Sequence, residues 1–165
     1  MKKFDARFFI IVIVGWGLDF ITKILAVQNL SNNETIKLVG DFIAFRLVYN
    51  TGGVFGIAQG NPFIFHIMTG LAIIFLLVYY IKTESNDKYF SIAIASTMGG
   101  ALGNFTDRFF REGVVDFIDM GFGVHRWPTY NIADAFISAG GLLLVITLWR
   151  MEKMEKEKLA SNSKE

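Results

Sequence analysis

The sequence contains no cysteine, which excludes disulfide bonds, thiolate metal sites, a cysteine nucleophile and acylation of the chain on cysteine. Its two histidines, His66 and His125, are too scattered to suggest a metal site. The formal net charge is +1, so no overall basicity points to nucleic acid as a partner. No H-E-x-x-H or G-x-S-x-G motif occurs. These absences leave paired carboxylates as the strongest catalytic constellation, with no cofactor and no metal expected.

Apolar residues are abundant: the hydrophobic fraction is 53% and the mean hydropathy is +0.43, both high for a soluble domain. A transmembrane helix needs about 20 mostly apolar residues. Four segments qualify, namely Phe8–Val27, Phe63–Ile81, Tyr89–Phe105 and Ile132–Trp149. No small-x-small cleavage site follows the first segment, so we expect it to be a retained span. The prediction is an all-α membrane protein, one integral membrane domain with four transmembrane helices.

The segments outside these spans are two loops, 28–62 and 106–131, and a C-terminal tail, 150–165. The first loop contains TIKLVGDFIAFRLVYN, which is rich in β-branched and aromatic residues and is broken by Gly40–Asp41. This pattern predicts short strands of a small extracytoplasmic β-sheet. The second loop is expected to carry Asp116. The tail begins MEKMEKEK and is predicted to be a charged extension of the last helix.

The distribution of basic residues predicts the orientation. With four spans both termini lie on one side of the membrane, and the segments on that side hold ten Lys and Arg residues against five on the other, with Lys23 inside the first span. Loops rich in Lys and Arg stay in the cytoplasm. We therefore expect cytoplasmic termini.

In this orientation, polar side chains from separate segments lie in one layer near the outer surface. They are Asp19, Lys23, Asn104, Asp107, Arg108, Asp116 and Asp134. Ionisable residues within membrane segments are rare and usually mark function. A structural explanation exists for single members: Asn131 followed by Asp134 fits a helix N-cap with an acidic third residue, and Arg108 could extend to the interface.

Asp116 and Asp134 are the candidate catalytic pair. They are 18 positions apart, and the intervening loop contains Gly121, Gly123 and Pro128, so it can fold back. Two aspartates held close together do not both ionise easily, and one keeps its proton. Such a pair can activate water with one carboxylate and protonate the scissile amide with the other.

Five motifs resemble, in order, those of the bacterial lipoprotein signal peptidases, the signal peptidase II family. They are DFITK at Asp19–Lys23, NTGGVFG at Asn50–Gly56, GGALGNFTDR at Gly99–Arg108, GVVDFID at Gly113–Asp119 and YNIADAF at Tyr130–Phe136. Each motif is weak by itself, and the ordered set is highly specific. Three positions depart from the family pattern: Gly53 and Val54 stand where alanines are frequent, and Tyr130 replaces a phenylalanine. These changes bear on substrate preference.

The resemblance implies an aspartic peptidase of the bacterial cytoplasmic membrane, with its active site near the extracytoplasmic face. Its substrate would be a prolipoprotein whose signal peptide precedes a diacylglyceryl-modified cysteine, met among membrane lipids, and globomycin would inhibit it. The family fold has four spans, a small sheet and a short helix lying on the membrane. The catalytic aspartates map onto Asp116 and Asp134. The substrate-binding set is expected at Asp19, Lys23, Asn50, Gly52, Asn104, Arg108 and Asn131.

Two other classes of function remain open at this stage. A metal-dependent lipid phosphotransferase would hold magnesium with Asp107, Asp116, Asp119 and Asp134, although the D-G-x-x-A-R signature of one such family is absent. A small transporter or assembly factor would instead line a path with its buried charges.

Overall fold

The computed structural model describes residues 6–31, 34–52 and 62–162. Within these ranges, four helices and four strands follow one another in the order α1, β1, β2, α2, α3, β3, β4, α4. Their bounds are α1 Ala6–Asn29, β1 Thr35–Val39, β2 Ile43–Asn50, α2 Pro62–Lys82, α3 Lys88–Phe110, β3 Val114–Phe122, β4 His125–Arg126 and α4 Ile132–Asn162. The short surface helix that the resemblance implies is not among the described residues, and residues 53–61 lie outside them.

Three helices in the described part of the chain, α1, α2 and α4, are long and apolar enough to cross a membrane. Their outward faces carry large exposed apolar side chains, among them Ile13, Ile21, Leu71, Phe75, Leu142 and Val145. Because such faces are costly in water, they suit lipid. The predicted third span, Tyr89–Phe105, lies within α3, which does not meet the same standard of length and composition.

The position of α3 explains its weaker apolar character. It lies against α1, α2 and α4, and it contains many of the buried residues of the molecule. A helix surrounded by other helices faces protein rather than lipid, so small residues such as Ala93, Gly99 and Gly103 serve there in place of large apolar ones.

The strands form one antiparallel sheet in the order β1-β2-β3-β4. The predicted strands in residues 35–50 are confirmed, with the break at Gly40, whose φ of +51° lies in the left-handed region that glycine adopts without strain. The charged helical tail is also confirmed, since α4 continues to Asn162 and Lys156 pairs with Glu152 one turn earlier.

The sequence predicts no strand in residues 106–131, the segment between the third and fourth predicted spans, whereas the structure contains one there. α3 extends to Phe110, and Asp116 lies inside strand β3, paired with β2. Val115 and Phe117 pack against Ala26 and Leu30 at the end of α1, and Val114 and Asp116 on the opposite face of the strand are buried as well. A strand buried on both faces lacks a clear apolar–polar alternation, so its sequence does not stand out from a loop.

Close helix packing leads to a first prediction. A Cβ atom at Gly100 of α3 would lie 2.3 Å from the carbonyl oxygen of Ala133 in α4, whereas one at Gly141 of α4 would have no neighbour within 4 Å. Gly100→Ala should lower the free energy of unfolding by about 1–3 kcal/mol through overpacking. Gly141→Ala, the matched control, should raise it by up to about 1 kcal/mol through helix propensity. Unfolding in detergent measures both, and equal stabilities would contradict the packing described.

Candidate active site

Asp116 is held at the centre of the sheet. It lies opposite Val48 of β2, directly after a register shift between Phe45 and Val48 that inserts an extra residue into β2. Such bulges re-aim side chains next to functional sites. Asn50, at the end of β2, donates its side-chain amide to Asp116 Oδ2 at 3.0 Å, and its own Oδ1 accepts from the backbone amide of Gly52.

Asp134 lies in the first turn of α4, where it takes part in a reciprocal cap. The backbone amide of Asp134 donates to Asn131 Oδ1 at 3.0 Å, and that of Asn131 donates to Asp134 Oδ2 at 3.2 Å. The N-cap predicted from the sequence is therefore present. The same Asn131 also donates its side-chain amide to Asp116 Oδ1 at 2.7 Å, so one residue joins both aspartates.

A short backbone bridge brings Asn131 to the sheet. Ile118 of β3 donates to the carbonyl of Tyr130 at 2.8 Å, and Tyr130 donates back to Ile118 at 3.0 Å. The next residue after Tyr130 therefore lies beside β3 as the chain enters α4. These two hydrogen bonds hold the segment between β3 and α4 folded back on the strand, as its glycines and proline permit.

Asn104 of α3 connects the aspartates to the helices. Its side-chain amide donates to Asp134 Oδ1 at 2.7 Å, and its Oδ1 accepts from Asn131 at 3.1 Å and from the Lys23 ammonium at 3.0 Å. Both the amide nitrogen and the amide oxygen of this neutral side chain are therefore hydrogen-bonded within the polar layer. It thereby links a cation of α1 to the carboxylate of α4.

Arg108 lies one turn further along α3, on the same face. Its guanidinium donates to a backbone carbonyl one turn earlier at 3.1 Å and lies 5.9 Å from the ring of Phe65 in α2. Its charge interacts with both Asp116 and Asp134. His66 of α2 contacts the carbonyl oxygen of Arg108, so α2 is attached to the C-terminal end of α3 at this point.

Lys23 is fully buried, and three oxygens surround its Nζ atom. They belong to Asp19 at 2.7 Å, to Asp107 at 2.9 Å and to Asn104 at 3.0 Å. Asp19 and Asp107 are equally buried. The predicted site residues Asp19 and Lys23 are therefore connected to the two aspartates, Lys23 through Asn104 and Asp19 through the backbone amide of Ala133.

Asp107 is absent from the expected substrate-binding set, although the structure connects it closely to that set. The sequence places Asp107 in the predicted polar layer, and the one specific role considered for it is that of a magnesium ligand in the alternative function. A signal was present: Asn104, Asp107 and Arg108 are spaced three and four positions apart, which puts them on one face of a helix. Asp107 also accepts the backbone amide of Val115 at 3.0 Å, next to Asp116.

The charges of this layer almost balance. Four carboxylates (Asp19, Asp107, Asp116 and Asp134) face three cations (Lys23, Arg108 and Arg111). Burial raises the pKa of Asp116 to about 7, and the nearby carboxylate of Asp134 adds to this increase. One proton on the pair formed by Asp116 and Asp134, hereafter the dyad, therefore neutralises the layer near neutral pH. That proton belongs to the dyad as a unit.

The acidic residues proposed for a magnesium site do not converge. Asp119 is bound by Arg126 at 2.8 Å, and Asp107 is bound by Lys23 and Arg111. In residues 6–31, 34–52 and 62–162 no group of three or more His, Asp and Glu side chains is arranged to hold a metal ion. Asp107 and Asp119 are instead neutralised by basic side chains, which argues against shared metal ligation by the four aspartates.

A small cavity of about 210 Å³ opens beside the dyad on the α4 side. It is lined by Trp127, Tyr130, Asp134, Ala135 and Ser138. The indole of Trp127 and the first turns of α4 form its walls. Asp134 is therefore accessible from a surface that continues into the exposed apolar face of α4.

Comparison with known proteins agrees with this geometry. Residues 10–150 match the sequence profile of the family described as signal peptidase (SPase) II. The chain belongs to the signal peptidase II family. It is 37% identical over 145 residues to the lipoprotein signal peptidase of Clostridium novyi, covering 87% of this chain and 98% of that protein. The lipoprotein signal peptidase of Bacillus pumilus is 38% identical over 151 residues, covering 91% and 97%.

Signal peptidase II membership also has structural support. A bacterial membrane enzyme solved by the in meso method superimposes with a TM-score of 0.83 and 31% identity, over 90% of this chain and 91% of that one. A second structure of this kind gives a TM-score of 0.79 at 30% identity. Together with the three apolar helices, these relationships make the chain a multi-pass membrane peptidase of the signal peptidase II family.

The raised pKa of Asp116 leads to a prediction about stability. In the folded state this carboxyl keeps its proton up to about pH 7, whereas in the unfolded chain it ionises near pH 3.8. Between these values the folded state binds more protons, so stability falls as pH rises through this window. Asp116→Asn removes this dependence. Relative to wild type, the variant should gain about 3 kcal/mol in unfolding free energy between pH 5 and pH 8.

Thermal unfolding in detergent at the two pH values measures this difference, and any pH-independent loss of hydrogen bonds cancels in it. Asp41→Asn is the control on the same sheet, because Lys37 holds the pKa of Asp41 below its ordinary value and thus below the window. The Asp41 variant should keep a constant offset from wild type. An equally constant offset for Asp116→Asn would contradict a shared proton in the dyad.

Proposed function

We propose that this chain is an intramembrane aspartic endopeptidase that removes the signal peptide from diacylglyceryl-modified prolipoproteins, cleaving before the lipid-modified cysteine. One observation carries the proposal: Asn131 binds both carboxylates of the dyad, Asp116 Oδ1 through its side chain and Asp134 Oδ2 through its backbone amide. Two carboxyl groups on a common hydrogen-bond donor, in a buried layer that favours one proton between them, have the acid–base asymmetry that peptide hydrolysis requires.

In this proposal the ionised carboxylate takes a proton from water as the water oxygen attacks the scissile carbonyl carbon. The protonated partner gives its proton to the carbonyl oxygen, and a tetrahedral diol forms. The dyad then returns a proton to the amide nitrogen, the C–N bond breaks, and a carboxylic acid and an amine leave. Each proton taken from water or from the diol is delivered to the product, so the dyad ends with one proton, as it began.

The remaining site residues have proposed roles in holding the substrate. Asn50, Asn104 and Arg108 orient the substrate backbone and the ester carbonyls of its lipid, because they border the dyad and carry amide or guanidinium donors. Gly52 fixes Asn50 through its backbone amide. The glycines at 53 and 56 belong to the same motif and lie outside the described residues.

The proposal includes a membrane arrangement of four spans, with α3 as the enclosed fourth, cytoplasmic termini and a dyad near the extracytoplasmic face. The excess of Lys and Arg in the terminal segments and the 82–88 connection supports this orientation. A signal peptide is itself apolar and meets the enzyme within the bilayer, while its diacylglyceryl chains remain in lipid. Globomycin is expected to inhibit by occupying the same substrate site.

The substitutions Asp116→Asn and Asp134→Asn test the dyad. Each should reduce release of the signal peptide from a diacylglyceryl-modified precursor by at least about 10³-fold, because an amide does not exchange the catalytic proton. Gel analysis of purified protein with precursor measures release, and membrane fractionation verifies insertion. Asp119→Asn is the matched control, an aspartate of the same strand paired with Arg126, and should retain cleavage within about threefold. Normal turnover by either dyad variant would refute the assignment.

The same assay separates the proposed function from the two alternatives. A lipid phosphotransferase and a transporter would each release no signal peptide, with or without EDTA. The proposed dyad should release it equally in both conditions. Release that EDTA abolishes would contradict a metal-independent dyad.

The pH profile of cleavage tests which protonation state is active. Because the pKa of Asp116 is about 7, kcat/KM should decline above about pH 7 as the dyad loses its proton. The rate should be measured from pH 5 to pH 9 with the fraction of folded protein determined at each point. A rate that stays constant up to pH 9 would contradict a singly protonated active form.

A further inference from the structure

Two buried carboxylates bind the backbone immediately before each member of the dyad. Asp107 Oδ2 accepts the amide of Val115 at 3.0 Å, and Val115 precedes Asp116. Asp19 Oδ1 accepts the amide of Ala133 at 2.8 Å, and Ala133 precedes Asp134. The two contacts come from different helices, α3 and α1, and each fixes the position of one dyad residue through its neighbour.

Lys23 connects these two carboxylates. Its Nζ lies 2.7 Å from Asp19 Oδ2 and 2.9 Å from Asp107 Oδ2. Asp19 Oδ2 has no hydrogen bond of regular geometry in the described part of the chain, so its compensation comes from this ion pair. The third neighbour of Nζ is Asn104 Oδ1, and Asn104 itself binds Asp134. Every oxygen around Lys23 therefore belongs to a residue that contacts a dyad aspartate or the residue before it.

Stability alone does not explain three buried charges at this depth. Replacing a buried ion pair by apolar residues of similar volume is often neutral or stabilising. The protein also makes room for this group, because a Cβ atom at Gly103 would lie 2.4 Å from Asp19 Oδ2. A charged group that is costly to bury, and that binds the backbone next to each dyad residue, is suited to fixing the position of the two dyad residues relative to each other.

We propose that Asp19, Lys23 and Asp107, hereafter the Lys23 brace, act as a positioning unit that sets the separation and orientation of the dyad through the amides of Ala133 and Val115. This inference rests on the proposed function. Asp107 is the member of the brace that lies outside the predicted substrate-binding set. Its role is to position the dyad, and it does not contact substrate. Its two oxygens serve Val115, Lys23 and Arg111, which leaves it directed into the protein.

The test compares Lys23→Met and Asp107→Asn with wild type. Lys23→Met replaces the ammonium by an apolar side chain of similar length. Asp107→Asn keeps an oxygen for the Val115 amide and removes the charge that holds Lys23. Each variant should lower kcat about 10²-fold per folded molecule, since a misplacement of about 1 Å has effects of this size, and should change KM little. Steady-state cleavage of the diacylglyceryl-modified precursor gives both constants.

The pH profile supplies a measurement that a purely structural role would not change. Three charged groups act on Asp116: Asp134 on α4, Arg108 on α3 and Lys23 on α1. The positive charge of Lys23 lowers the pKa of Asp116. In Lys23→Met the alkaline limb of kcat/KM should therefore move to higher pH, while in Asp119→Asn, which breaks an ion pair outside the brace, it should stay in place.

Asp119→Asn is also the control for stability, because Asp119 is a buried aspartate paired with Arg126 at 2.8 Å. It should lower the melting temperature and leave kcat per folded molecule within about threefold. The proposal is overturned if the brace variants resemble this control in kcat and pH profile, or if neither of them folds, since the brace then serves folding alone. If wild type releases no signal peptide, the proposed function fails; if wild type releases it and the brace variants behave like Asp119→Asn, this inference alone fails.

Discussion

Two carboxylates in a buried layer repel each other, and the rest of this structure is arranged around compensating that repulsion. Neutral amides provide the nearest contacts: Asn131 binds both members of the dyad, Asn50 binds Asp116 and Asn104 binds Asp134. The cations lie further from the two carboxylates than these amides do. Because amides donate without bringing full charge, they hold the carboxylates in place while leaving room for a proton between them.

The neighbouring cations then decide how many protons the layer holds. With three basic side chains facing four carboxylates, a single proton brings the layer to neutrality. In an environment of low dielectric constant, neutrality is strongly favoured. The composition of α1 and α3 thus influences the protonation of residues on β3 and α4, although none of the three cations belongs to the elements that carry the dyad.

The placement of the two aspartates in the fold also compensates their repulsion. Asp116 lies on a strand, where the side-chain amides of Asn50 and Asn131 reach it, and Asp134 lies at a helix N-terminus, where it accepts the backbone amide of Asn131. The Ile118–Tyr130 bridge joins these places, and small residues at Gly99, Gly100 and Gly103 let α1, α3 and α4 approach closely enough for Asp19 to reach Ala133. α3 lies in the middle of this contact network. Its modest apolar character follows from being enclosed by protein, so composition alone does not describe its relation to lipid.

The sequence by itself determined the helices, because long apolar runs have few alternative structures, and it determined the first two strands and the cap at Asn131, which are local patterns. The ordered motifs also indicated the signal peptidase II family. It did not reveal β3, whose two buried faces erase the alternation that identifies a strand, nor the role of Asp107, whose partners Lys23 and Val115 lie on other elements. Those features depend on which distant groups meet, and only the tertiary structure decided that, because a charge or an amide far away in the chain leaves no local trace in the residues it will compensate.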